Sequence, residues 1–384
     1  MMQMSLRRCM VWWLHVVVAF GLVVTASAGD QHGQPVTVYR EVGRFGGWPA
    51  NHGIWSWGNE ILVGFSRGYY KDRGLSHHFD PDKPEEHVLA RTLDGGTTWD
   101  LEHPNAHGML LGYGPSLHGT PLPDVEIPQP VDLTEPMDLA HPNLALTIRM
   151  SDVNAGLSRF YVSYDRGRSW SRPYRLPLFG QLGIAARTDY LINGPRDCFL
   201  FLTATKRNGL EGRPLCVRTT DGGLTWNMIS WIGEEPPGDG DFAIMPSTIR
   251  LGVEELFTAV RQHQGTDRWI DTYRSQDNGQ SWRYAGRGAE NTGVGNPPSM
   301  ILLADGRVCL TYGFRAEPYG IHARISSDQG KTWGDEIILR DDGSGRDLGY
   351  PRSVQRPDGK VVTVYYYQDH HDPYRHIAAS IWQP

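Results

Sequence analysis

Apolar residues in this chain come in short, β-rich runs, and each run ends in a turn. Phe160-Tyr-Val-Ser163 and Leu215-Cys-Val-Arg218 are two of them. Arg352-Ser-Val-Gln-Arg-Pro-Asp-Gly-Lys-Val-Val-Thr-Val-Tyr-Tyr-Tyr367 reads as a strand, a turn at Asp358-Gly359 and a second strand. His376-Ile-Ala-Ala-Ser-Ile-Trp382 reads as a third. β-Branched and aromatic residues suit a pleated surface, and short strands broken by Gly and Asp predict an all-β chain.

One phrase, [ST]-x-D-x-G-x-[ST]-W, closes five of these runs. It spans Thr92–Trp99, Ser163–Trp170, Thr219–Trp226, Ser275–Trp282 and Ser326–Trp333. The Asp carboxylate accepts backbone N–H groups ahead of it, Gly supplies a positive φ, and the Trp fills space between sheets. The phrase is therefore a turn that builds the fold and leaves no free carboxylate for chemistry.

Its aspartates, at 94, 165, 221, 277 and 328, are separated by 71, 56, 56 and 51 residues. Each interval holds about four short strands, which is one propeller blade. Residues 352–382 supply three strands of a sixth blade without the phrase. Val36–Val42 is expected to add the fourth, closing the ring and hiding its edges. The prediction is a six-bladed β-propeller of four-stranded antiparallel blades, one domain over residues 29–384. Residues 103–141, rich in Pro, His and Gly, form an insertion that lengthens the first interval.

Innermost strands are expected to begin near Asn51-His52, Pro142-Asn143, Arg187-Thr-Asp189-Tyr190, Met245-Pro-Ser247, Asn296-Pro-Pro-Ser299 and Tyr350-Pro-Arg352. Second strands are expected to end at Arg67, Lys206-Arg207, Arg261 and Arg315. Arginines converging on one funnel make a socket for a carboxylate or sulfate, which a guanidinium grips with two parallel hydrogen bonds. Arg187 and Asp189 share a face and suit either an ion pair or a substrate contact. His52, in a Trp-rich stretch, is a candidate acid/base because its ring titrates near neutral pH.

Residues 1–28 carry Arg7-Arg8, an apolar run from Val11 to Val24 interrupted by His15, and Ala26-Ser-Ala28. That is the pattern of a cleavable secretion signal, so a secreted or periplasmic protein with no membrane span after cleavage is expected. The net charge of −6 is mixed along the chain and points to no nucleic-acid partner. Of four cysteines, Cys9 lies in the leader and Cys309 has no evident partner. Cys198 and Cys216 are read as buried thiols or a cross-strand disulfide. No Cys/His spacing resembles a zinc site, and neither metal nor cofactor is expected.

The repeated phrase is the Asp box, and through it the chain resembles the sialidase (neuraminidase) superfamily of six-bladed propellers. The resemblance implies a retaining exo-glycosidase acting on an acidic glycan of the sialic acid type. That mechanism uses a Tyr nucleophile, which avoids setting a carboxylate against an anionic sugar. By the same resemblance Arg261 and Arg315 match two of three carboxylate-binding arginines, and Arg67, five residues before Asp72, matches the loop that carries the acid/base; Arg187, Asp189 and Arg352 are further candidate substrate contacts that the family pattern does not require. Tyr350 matches the nucleophile, Asp241 its acidic helper, and Asp72 the acid/base. The chain departs from the pattern at Gly47-Trp-Pro-Ala-Asn-His52-Gly, where the family has an Arg in register. Two alternatives follow: a lyase or other glycosidase on uronic-acid or sulfated glycans using His52 and Tyr350, or a glycan-binding propeller without catalysis.

Overall fold

A computed structural model describes residues 34–384. The leader-like residues 1–28, with Cys9, lie outside the described residues. Six sheets form the blades of a propeller. Blade 1 pairs the inner segments Arg44–Gly47 and Ile54–Trp57 with Glu60–Tyr69, followed by Glu86–Thr92 and Asp100–Glu102. A one-turn helix, Pro49–His52, interrupts its inner strand, so Asn51 and His52 sit on a helical turn rather than at a strand start.

Blades 4, 5 and 6 open with Phe242–Arg250, Pro298–Leu302 and Gly349–Gln355. The sixth closes as the pattern predicts. Gln34–Tyr39 pairs antiparallel with His376–Trp382, so the first described strand completes the last blade. Cys198 and Cys216 are free and buried, and their register explains it: Cys198 faces Thr219, while Cys216 faces Phe201.

Blade 2 departs from the expected plan. Its sheet has three strands, Ala145–Met150, Ser158–Ser163 and Tyr174–Arg175. Ser163 enters the Asp box, so by comparison with the other blades Ala145–Met150 is the second strand, running towards the funnel. Pro142-Asn143 therefore lies at the opposite end from an inner-strand start, and the backbone of Asn143 accepts the N–H of Arg166 in the box. The segment that would have been the inner strand instead runs along the outer edge, where Val131 bridges Tyr174. Its Pro-rich composition accounts for this, since Pro cannot donate to a ladder.

Five Asp boxes have one geometry. In the first, the Asp94 carboxylate accepts Thr97 N–H (3.0 Å), Thr98 N–H (2.9 Å) and the hydroxyls of Thr92 and Thr98 (both 2.7 Å). Thr92 Oγ1 in turn accepts Gly96 N–H at 3.0 Å. The box tryptophans pack against the preceding blade: Trp170 on Trp55, Trp226 on Phe160 and Trp282 on Phe201.

Around the axis, backbone N–H groups of one blade are taken up by side chains of its neighbour. Ile148 N–H donates to Thr188 Oγ1 (3.1 Å), Met300 to Ser247 Oγ (2.9 Å), Ser353 to Ser299 Oγ (3.0 Å) and Tyr350 to Asn296 Oδ1 (2.8 Å). An inner strand has no further strand to pair with, and a buried unpaired N–H is costly, so these small polar side chains complete the ladder.

Burial alone would push the Asp94 carboxyl up, but its Thr98 and Thr92 donors hold it down at about 2. Its contribution to stability is therefore complete above about pH 4 and is lost as the pH falls towards 2. Asp94→Ala is expected to lower stability by about 1 kcal/mol at pH 7. Melting curves should show the gap to wild type closing between pH 4 and pH 2.

Candidate functional site

Tyr350 stands at the centre of the funnel. It belongs to blade 6 yet packs against Ala50 of blade 1 and Ile244 and Met245 of blade 4. Its backbone is left-handed, with φ 49, a conformation that costs a non-glycine residue energy and needs surrounding structure to hold it. Asn296 does so by accepting its N–H.

Three guanidiniums surround the phenol. Arg261 Nη1 donates to Tyr350 Oη at 3.4 Å, and the Arg315 guanidinium lies 5.4 Å from the ring centroid. Arg187 contributes charge from blade 3. Burial pushes the phenol up, but Arg261, Arg315 and Arg187 together bring it below its ordinary value. Among the described residues no carboxylate hydrogen-bonds the Tyr350 hydroxyl.

The three arginines are held differently. Arg315 donates to the carbonyls of Leu348 (2.8 Å) and Gly295 (3.1 Å) and to Tyr366 Oη (2.5 Å). Tyr366 passes that contact to Asp347, which also binds His77 and Arg375 and is held far below the carboxylate range. Arg187 grips Glu211 with both terminal nitrogens and donates Nε–H to Asn51 Oδ1 at 3.2 Å. Among the described residues Arg261 has no carboxylate partner, and its buried Nε has no hydrogen-bond acceptor. It is the guanidinium of the three left available to a ligand.

Arg352 and Asp189 lie deeper. Arg352 Nη2 donates to Ala50 O (2.7 Å) and Thr188 O (2.6 Å), clamping blades 6, 1 and 3 together. Asp189 accepts the Thr248 hydroxyl at 3.1 Å. Both residues line a cavity of about 380 Å³ to which Trp55, Ser299 and Val354 also contribute.

The remaining candidates sit elsewhere. Arg67 bonds Tyr39 Oη (3.1 Å), Glu41 (2.8 Å) and Glu86 (3.4 Å), because its neighbour Ser66 takes the inward position on the strand. Alternate residues face opposite sides of a strand. Asp241 accepts Gly238 N–H (3.1 Å) and Gly265 N–H (2.9 Å), pinning two turns without reaching Tyr350. Asp72 is exposed on the rim loop, accepting Gly74 N–H at 3.0 Å. That loop leans on blade 6 through the 2.6 Å contact of His77 with Asp347.

His52 is buried with both ring nitrogens engaged. Nδ1 accepts Arg149 Nη1 at 2.5 Å and Nε2 contacts Ser66 Oγ at 3.1 Å. Burial first, then Arg149, holds the ring well below its usual value, so it is neutral. Arg149 and Glu211 escaped the sequence reading. Arg149 ends the second strand of blade 2 as Arg261 and Arg315 close theirs, a signal hidden by taking Pro142-Asn143 as an inner-strand start.

Among the described residues no cluster of three or more His, Cys, Asp or Glu suits a metal ion, and no helix is long and apolar enough to cross a membrane.

The family model for the BNR repeat-like domain matches residues 144–363. A comparison with curated proteins finds no match. Among solved structures, a protein of unknown function from Dyadobacter fermentans superposes with a TM-score of 0.65 at 23% identity, covering 90% of this chain and 97% of that one. The NanB sialidase of Streptococcus pneumoniae gives 0.56 at 12%, covering 90% and 70%. The alpha-L-arabinanase of Penicillium chrysogenum, complexed with arabinobiose, gives 0.57 at 14%, covering 91% and 97%. These likenesses establish the propeller.

Burial pushes the Asp189 carboxyl up to about 7, against the pull of Arg352. A raised carboxyl favours folding below its unfolded pKa near 4, and that contribution is lost as the pH rises through 7. Asp189→Asn mimics the protonated form. Its melting temperature is expected to match wild type near pH 4 and to exceed it at pH 8, by a difference on the order of 4 kcal/mol in stability.

Proposed function

Because the chain belongs to the BNR repeat-like domain family, with the propeller of the sialidase superfamily, we propose that it is an exported glycoside hydrolase acting on a glycan with an acidic terminal sugar. One observation carries this reading. The Tyr350 hydroxyl lies among Arg187, Arg261 and Arg315, and among the described residues no carboxylate bonds to it.

Arg261, unpaired, receives the sugar's acidic group, with Arg315 and Arg187 fixed around it. The same cations favour ionisation of the phenol, whose proton passes to water before the attack. Tyr350 Oη attacks the anomeric carbon as the glycosidic C–O bond breaks, and water then hydrolyses the tyrosyl intermediate with net retention. Asp72, on the rim loop, is the candidate donor of the leaving group's proton. The lyase alternative has less to draw on, since neither nitrogen of His52 is free to face a substrate.

Tyr350→Phe leaves the backbone and ring packing intact. It is expected to lower turnover of an aryl sialoside or related acidic glycoside by at least about 10³-fold with little change in melting temperature. Full activity in that variant overturns the nucleophile assignment. Asp72→Asn should slow substrates with poor leaving groups by about 10²–10⁴-fold and spare those with activated aryl leaving groups. Glycan binding that survives both changes, with no product formed by wild type on any acidic glycoside, would instead establish the binding-module reading.

A further inference from the structure

Between blades 1 and 2, where the inner strand of blade 2 is missing, lies a cluster of polar side chains that the proposed reaction does not use. Arg149 ends the strand Ala145–Met150 and is 5% exposed. Its Nε donates to Thr147 Oγ1 at 2.9 Å, and its Nη1 donates to Nδ1 of His52 (2.5 Å) and of His87 (3.1 Å). Both rings therefore present lone pairs to the guanidinium and are neutral. Among the described residues Arg149 Nη2 has no hydrogen-bond partner.

A second buried guanidinium reinforces the charge. Arg159 is 0% exposed and donates to Tyr161 Oη (2.8 Å) and Leu111 O (2.6 Å), with its carbon 3.9 Å from the Tyr113 ring centroid. Among the described residues neither arginine forms an ion pair. Two cations buried without a counter-charge are expensive, and a protein that holds them needs an anion or a strong dipole to compensate.

The space beside Arg149 is sized for such a partner. It has a volume of about 30 Å³ and is lined by Asn51, His52, Ser66, His87, Ser116 and Glu85, among others. Room of this order accommodates one water molecule or one monatomic ion. The Glu85 carboxylate faces the same space, but its Oε2 is taken by the N–H groups of His118 (2.6 Å) and Gly119 (3.2 Å), and His87 Nε2 lies 3.7 Å from its Oε1. Burial pushes that carboxyl up, against the pull of the Ser66 hydroxyl and the N–H groups of His118 and Gly119. With both Nδ1 atoms facing Arg149, each imidazole carries its proton on Nε2.

We propose that this cavity binds a single halide ion, chloride under physiological conditions, with Arg149 as its principal ligand. The site joins the funnel wall through Asn51, whose Oδ1 holds Arg187 at 3.2 Å. It is nevertheless distinct from the Tyr350 cluster and does not rest on the hydrolase reading.

The test uses the whole chain, with sodium chloride or bromide against sodium gluconate at equal ionic strength. Wild type is expected to gain about 5 °C in melting temperature, saturably, at a hundredfold excess over Kd. Arg149→Met should lose this response. Should that variant fail to fold, anomalous diffraction from wild-type crystals grown in bromide decides, with a single peak expected beside Arg149 Nη2. Equal melting in halide and gluconate, or a bromide-grown crystal without that peak, overturns the proposal by showing that water alone fills the cavity. Stabilisation by formate but not by bromide overturns it in favour of a carboxylate ligand.

Discussion

The propeller depends on satisfying the inner edge of each blade. The innermost strand of a sheet has one side without a partner strand, and here that side faces the axis. Thr188, Ser247, Ser299 and Asn296 solve this by accepting an N–H from the neighbouring blade. Each bond is modest alone. Together they fix how far each blade reaches towards the axis, and so where Tyr350, Arg187 and Arg261 stand. Asn296 shows the coupling most directly, because the N–H it accepts belongs to Tyr350, whose backbone would otherwise relax from φ 49.

Electrostatics at the site follow from that frame. Arginines brought to one point by separate blades would repel if all were free. Arg315 is neutralised by distance and dipoles through carbonyls and the Tyr366–Asp347 relay, and Arg187 is matched by Glu211. Arg261 alone keeps unspent hydrogen-bonding capacity. A group of fixed cations around one selective opening recognises an anion without losing the entropy of ordering long side chains at the moment of binding.

Much of the fold was legible in the chain because its signals are local. An Asp box closes its own turn within eight residues, so Asp94 and Asp328 declare themselves without help from distant parts. The sixth blade was readable from alternation alone, and so was its completion by the strand ending at Tyr39. The site was less legible because it depends on the face each residue presents. Arg67 and Arg261 both end second strands, yet a one-residue difference in phase turns Arg67 outwards to Glu41 and Glu86. Arg149 was hidden for a related reason, since a Pro-rich detour outside blade 2 shifted the strand count by one. Asp241 looked apt by spacing, but its two backbone donors claim both oxygens. Phase, detours and local competition are properties of the folded chain, and composition does not encode them.

The strand that completes the last blade has a consequence for how the molecule comes into being. Arg40 reaches His376 across 336 residues of sequence, and the strands flanking them pair edge to edge. Until the strand His376–Trp382 is in place, Gln34–Tyr39 has no sheet to join and that sheet stays open. Blades 1 to 5 draw on contacts within their own stretch of chain and are able to assemble in order, while ring closure is a single late event of high contact order. Closure of the ring thus waits on the pairing of two strands that lie at opposite ends of the described residues.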